Sequence, residues 1–264
     1  MGYQMQEILK KCTKDDVQFI IETIDSYINF SDDSGLKTAF ACWETNSAMP
    51  DALAKKLETE IRYIASNDVA YFLRKTRGLE PAGIEVDEII NDITQILKIK
   101  VKPVGSTEGK LESLVKSVVE KKILTMTPEE QIRVLQDAKI EEAKIQEIMN
   151  GLKDNTKRVF AVFAQALGKT GAFDMIATIA GGVMATFIGK EAASKILLIV
   201  ASRTTLIPLG AILGVASLGW VGLELCGAAS RKTIPIMLSL GLVALRDGPE
   251  KEVDFFGESS GQEA

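Results

Sequence analysis

The sequence predicts an all-α fold, with a multi-helix N-terminal domain followed by a Gly/Ala-rich apolar helical bundle or hairpin. Three observations carry that expectation. Apolar residues in the first half recur at helical spacings of three and four. Helix-start signatures precede several of those stretches. The last third is apolar on every side and rich in small residues, and alternation is nowhere long enough to propose a sheet.

The elements follow in chain order. Thr13 with Asp16 is an N-cap followed by an acid at the third position, and Val17, Ile20, Ile21, Ile24 and Ile28 then line one helical face. Ser31–Gly35 is a turn cluster. Pro50 opens a helix through Leu53, Leu57, Ile61 and Ile64, and Asn67 or Asp68 begins another with Val69, Phe72 and Leu73. After the break at Gly78–Gly83, the residues Val86, Ile89, Ile90, Ile93, Ile96 and Leu97 repeat with helical spacing. A short basic piece, Lys98–Lys102, leads to Pro103, and Ser106 caps a helix carrying Leu111, Leu114, Val115, Val118 and Val119. Thr127-Pro128-Glu129-Glu130 is the clearest local signal: a capping Thr, Pro at the first helical position and Glu at the third start a helix together. Ile140 to Leu152 reads as one more amphipathic helix, ending at Gly151.

From Val159 that rhythm dissolves. The expected division is therefore an acidic amphipathic helical domain over 1–152, an apolar Gly/Ala-rich helical domain over 153–246, and a flexible acidic tail over 247–264. Charge divides at the same place. Residues 1–150 carry 20 basic and 26 acidic side chains, while residues 151–264 carry 11 and 10. Between Val159 and Arg246 there are seven basic and three acidic residues, and Thr204 to Leu223 is a run of 20 residues without any charge. Eleven of the 21 glycines fall in the same region.

So apolar a region must be covered by protein or by lipid. A helix of 20 residues is about 30 Å long, the thickness of a bilayer core. Pro208 in its first turn trims the regular helix to about 17 residues, the lower limit for a span. Gly210-x-x-x-Gly214, and likewise Gly181-Gly182, Gly219 and Gly222, lets helix backbones approach closely or associate as a homo-oligomer, and Trp220 suits a membrane interface. Arg203, Arg231 and Lys232 flank the run, where anionic headgroups would meet them. Against ordinary spans stand Asp174, Lys190-Glu191, Lys195 and Glu224, which interrupt the other apolar windows. A helical hairpin shielded in solution and able to enter a membrane accommodates both sets of facts.

Composition excludes more than it assigns. The chain has no histidine, which removes the usual base near neutral pH, the Ser-His and Cys-His pairs and His-containing metal sites. Cys12, Cys42 and Cys226 are scattered, as expected of reduced thiols in a bacterial cytosol. Net charge of −5 and 6% aromatic residues argue against nucleic acid as a partner. The N-terminal residues lack the basic-then-apolar pattern of a secretory signal, and Gln6 stands where a myristoylation motif needs Ser or Thr.

Gly168-Lys169-Thr170 has the ending of a phosphate-binding loop, but Phe163 occupies the position of its required glycine and the preceding segment reads as helix. Asp15-Asp16, Asp32-Asp33 and Glu141-Glu142 are read as caps or solvated faces, Arg74, Lys75 and Arg77 as a helix C-terminus, and Cys226 as a buried small side chain. No catalytic residue, metal ligand or cofactor is expected.

Gly219-Trp220, then Cys226-Gly-Ala-Ala-Ser-Arg-Lys-Thr-Ile-Pro235 and an apolar helix to Leu245-Arg246, resembles the bacterial YaaW-like family. The signature positions are Arg231, Thr233, Ile234 and Pro235. Tyr71–Arg74, Asp87–Asp92 and Leu97–Val101 resemble that family's middle section, sometimes grouped with the ubiquinol–cytochrome c chaperone helical domain. The chain departs from the pattern at Ser66-Asn67, where the family has a glycine pair, and at Ser230, where an aromatic usually precedes the arginine. The resemblance implies an all-helical protein, and the chaperone grouping implies protein binding.

The expected function is non-enzymatic. In this reading the apolar hairpin associates with or perturbs the bacterial inner membrane, and the N-terminal half regulates or recruits. The partner is then membrane lipid, a protein, or both. The alternative is a soluble chaperone-like assembly factor or adaptor. The expected location is the cytoplasm, at the surface of the inner membrane or inserted in it.

Overall fold

A computed structural model describes residues 5–25, 34–44, 47–66, 83–101, 105–153, 158–189, 209–220 and 228–246. Among the described residues the chain forms eleven helices and no strand. In the first half these are α1 (Gln6–Lys10), α2 (Lys14–Asp25), α3 (Ser34–Ala41), α4 (Asp51–Ala65), α5 (Val86–Leu97), α6 (Thr107–Thr125), α7 (Pro128–Asp137) and α8 (Glu142–Lys153). The apolar region supplies α9 (Val159–Ile188), α10 (Leu209–Ser217) and α11 (Ala228–Arg246).

Most helix starts are set by the residues the sequence singles out. The Thr13 amide donates to Asp16 Oδ2 (2.7 Å) and the Asp16 amide to Thr13 Oγ1 (3.3 Å), so α2 begins in a reciprocal box. Thr127 and Glu130 do the same for α7, at 2.8 and 3.3 Å. The Ser106 hydroxyl accepts from the Gly109 amide at 3.1 Å to start α6. A further box, Glu85 with Glu88, opens α5. It has no Ser, Thr or Asn to announce it in the sequence.

Three expectations need correction. Helix α3 begins at Ser34 and contains Gly35, both inside the stretch read as a turn. Helix α8 does not stop at Gly151 but runs through it to Lys153, and the bare glycine faces Val162 of α9. The uncharged run is not one long helix: α10 has nine residues, ending at Ser217 before the Gly219 turn. The proposed helix at 67–73 and the break at 190–191 lie outside the described residues.

Helix α11 is the axis of the packing. It lies against α6 and α9, and also against α1, α2, α4 and α5. Its core residues Ile234, Ile236, Met237, Leu238 and Leu240 are fully buried. At Gly241 a Cβ would stand 2.6 Å from the Leu111 carbonyl oxygen of α6, so this crossing is closed by the missing side chain. Two polar ties then fix α11 antiparallel to α2. Near its start, Lys232 Nζ donates to the Ile24 carbonyl at 2.6 Å, a cation at the negative end of α2. At its end, the Arg246 guanidinium donates to Asp16 Oδ2 and to the Lys11 carbonyl, both at 2.8 Å.

A second buried polar knot closes the other side. Arg62 of α4 is 1% exposed and donates to the Ile84 carbonyl (2.8 Å) and to Glu85 (2.9 Å), beside buried Glu58. Ser66 relays the same junction, donating to the Arg62 carbonyl and accepting from the Ile84 amide. These charges desolvate only because each has a partner.

Candidate functional site

The apolar block is built on α9. Gly168 leaves helical geometry (φ 72°, ψ 176°) and breaks α9 into a short first arm and a longer second one. Because the arm before Gly168 is helical and Phe163 is fully buried within it, no phosphate cradle can form there. The second arm is apolar on all sides and packs under α10, α11 and α6. Among the described residues α9 is the one helix long and apolar enough to cross a membrane, and 72% of its most apolar window is buried in the fold. By length and composition the core helix of a soluble protein passes the same test.

Helix α10 lies across α9 and reaches α7 on its far side. The close crossing is at Gly182 of α9, where a Cβ would collide with Val215 and lie 3.0 Å from the Ile212 carbonyl oxygen. Gly182 is among the glycines expected to bring helices together, whereas Gly210 and Gly214 have other surroundings. Around Gly210 there is open space among the described residues, and Gly214 faces the Asp137 carboxylate. Gly219 adopts a positive φ (64°) and turns the chain after α10. Trp220 follows, half-buried beneath Lys121, whose Nζ is 5.6 Å from the ring centroid. Pro208 and Gly222 lie outside the described residues.

The expected basic flanks are corrected in part. Lys232 is 4% exposed and turned inward to the Ile24 carbonyl, so it cannot meet a headgroup. Arg231 is exposed, and Arg203 lies outside the described residues. The rest of the signature segment serves packing. Ile234 is fully buried, Thr233 donates to the Ala229 carbonyl at 2.9 Å, and Pro235 is buried inside α11.

Lysines that the sequence left unassigned hold the turn after α10. Lys122 Nζ, at the end of α6, donates to the Gly219 carbonyl at 2.5 Å. Burial pushes its pKa down, partly opposed by Glu130. Neighbouring Lys121 donates to the Leu97 and Lys98 carbonyls at the end of α5 (2.7 and 3.1 Å), and its pKa is lowered by burial and by the charge of Lys98. Nothing in helical periodicity marks these lysines, because the contact is made across 97 residues of chain.

One cleft, of about 170 Å³, lies between the ends of α4, α5 and α11. Ile84, Ile89, Ile93 and Ile96 supply its apolar lining, and Asp92, Gln95 and Ser230 its polar groups. Asp92 is pushed above the ordinary carboxylate range by partial burial and by Glu88. Of the acidic pairs, Asp16 caps α2 and pairs with Arg246, and Glu141-Glu142 sits at the exposed start of α8. The Asp32-Asp33 pair, the Arg74–Arg77 cluster and Cys226 lie outside the described residues. Comparison with family models, with curated proteins and with solved structures found no match to this chain.

Proposed function

We propose that this is a non-enzymatic helical protein that associates with the bacterial inner membrane from the cytoplasmic side, through the apolar region that follows Val159. The observation that carries this reading is α10. It is an uncharged helix lying over α9 and α7, with Ala211, Ile212 and Val215 turned inward, and it leads into a glycine turn with a half-buried tryptophan. Helices α9 and α11 provide the base, and the N-terminal helices that grip α11 control what the base can release. The contact is peripheral, since 72% of the most apolar window of α9 is already buried in the fold. The likeness of Arg231–Pro235 to the YaaW-like signature fits a helical protein and adds nothing on activity.

Flotation of the detergent-free full chain with vesicles of phosphatidylglycerol and phosphatidylcholine tests the reading. The protein should rise with vesicles; a monodisperse protein left at the bottom of every gradient would overturn it.

A second reading, a soluble chaperone-like adaptor for partner proteins, is favoured by the cleft of Asp92, Gln95 and Ser230 over an isoleucine floor. Co-purifying proteins displaced by Ile96→Glu, with vesicle binding absent, would favour it.

A further inference from the structure

Of the basic residues expected to face lipid, Lys232 is turned inward, and a different corner of the molecule has the required chemistry. At the end of α5, Lys98 takes a left-handed conformation (φ 50°) and turns the chain into Ile99-Lys100-Val101. Ile99 and Val101 pack on the core, leaving Lys98 and Lys100 exposed. The Ser117 hydroxyl donates to the Lys100 carbonyl at 2.7 Å and pins this basic stretch to α6. Beside it, Lys121 lies over the Trp220 ring. One turn further along α6 is Leu124, 58% exposed and the one exposed large hydrophobic residue among those described.

Capping of α5 explains where the Lys121 ammonium sits. It explains neither Leu124 nor a second feature of the corner. Trp220 Nε1 is buried with no hydrogen-bond partner among the described residues. A buried N–H without an acceptor is costly, and the cost falls away if the ring reaches a surface that offers one. Gly219, with positive φ and no described atom near a Cβ position, gives the chain the backbone freedom to turn there. Its carbonyl is held by Lys122 Nζ, and Glu130 is the carboxylate whose charge reaches that lysine.

We propose that Lys98, Lys100, Lys121, Leu124 and Trp220 form the docking point for an anionic lipid surface. The ammonium groups receive headgroup phosphates, Leu124 enters the acyl boundary, and Trp220 swings on Gly219 to place its N–H among headgroup oxygens. Lysines that face no carboxylate among the described residues, an exposed leucine and an interfacial tryptophan are the composition that such surfaces select. This rests on the membrane reading above and names its lipid class and contact point.

The test uses the full chain in flotation and equilibrium binding with phosphatidylglycerol and phosphatidylcholine vesicles. Lys98→Gln, Lys121→Gln and Leu124→Gln should each weaken binding to phosphatidylglycerol about fivefold or more. With Trp43→Phe as background, Trp220 emission should be quenched by brominated phosphatidylglycerol chains. Lys98 and Leu124 are exposed, so their variants keep the fold even if Lys121→Gln does not. Binding to phosphatidylglycerol that ignores all three substitutions would overturn the docking point and leave membrane association standing. Equal binding to phosphatidylcholine would overturn the headgroup recognition. Failure of the unmodified chain to bind any vesicle would remove both.

Discussion

Asp16 shows how one side chain can hold two levels of structure. Its carboxylate accepts the Thr13 amide at the start of α2 and the Arg246 guanidinium at the end of α11. The pair is 6% and 1% exposed, so removing one member leaves a charge stranded away from water. Arg246→Met should lower unfolding free energy by about 3–5 kcal/mol in urea titration; a change below about 1 kcal/mol would mean the pair is effectively solvated. Asp92 gives a pH-dependent counterpart. Its folded pKa is raised, so the carboxylate form is disfavoured in the fold and the protonated form is not. The stability it withholds at neutral pH is recovered as pH falls through the raised folded value toward the ordinary one, about 3.9. Asp92→Asn should therefore raise the melting temperature at pH 7, and the difference should vanish below about pH 4. An increment that persists in acid would assign the effect to something other than charge.

At the scale of helices, the glycine pattern pointed to one of two close crossings. Gly181-Gly182 stands out in the sequence and Gly182 makes the approach to α10, whereas Gly241, at the α6 crossing, has no spacing that marks it. Spacing shows which glycines share a face, but which face meets a neighbour depends on where the other helix crosses. Gly241→Ala should destabilise by about 1–3 kcal/mol, because the added methyl meets the Leu111 carbonyl. Gly210→Ala should instead gain up to about 1 kcal/mol, since it only reduces the freedom of the unfolded chain. Paired thermal melts read both signs, and matching losses would restore Gly210 to the interface. Start signals behaved differently. Thr127 with Pro128 and Glu130 makes the box its residues announce. Thr127→Ala should cost about 1 kcal/mol, visible as a lower denaturation midpoint with an unchanged slope.

For the molecule as a whole, the decisive element is the last described helix. Because α11 packs on α1, α2, α4, α5 and α6, buried residues of both halves join in one core cluster among the described residues. A chain ending at residue 227 should lose hydrogen-exchange protection across α4 and α6, where Leu57, Ile61, Leu114 and Val118 depend on that cover. Native-like protection in residues 1–152 alone would show that α11 is an addition to a finished domain.

The sequence alone determined the helical class, most first-half helix positions and the need to hide the region after Val159. Those follow from interactions between near neighbours: caps, dihedral preference and the 3.6-residue repeat. Only the tertiary structure decided that Lys232 turns inward, that α10 stops at Ser217, and that Lys98, Lys121, Leu124 and Trp220 share one corner. The Lys232–Ile24 and Lys121–Trp220 contacts join residues 208 and 99 positions apart, and no local pattern encodes which distant surface a side chain will meet.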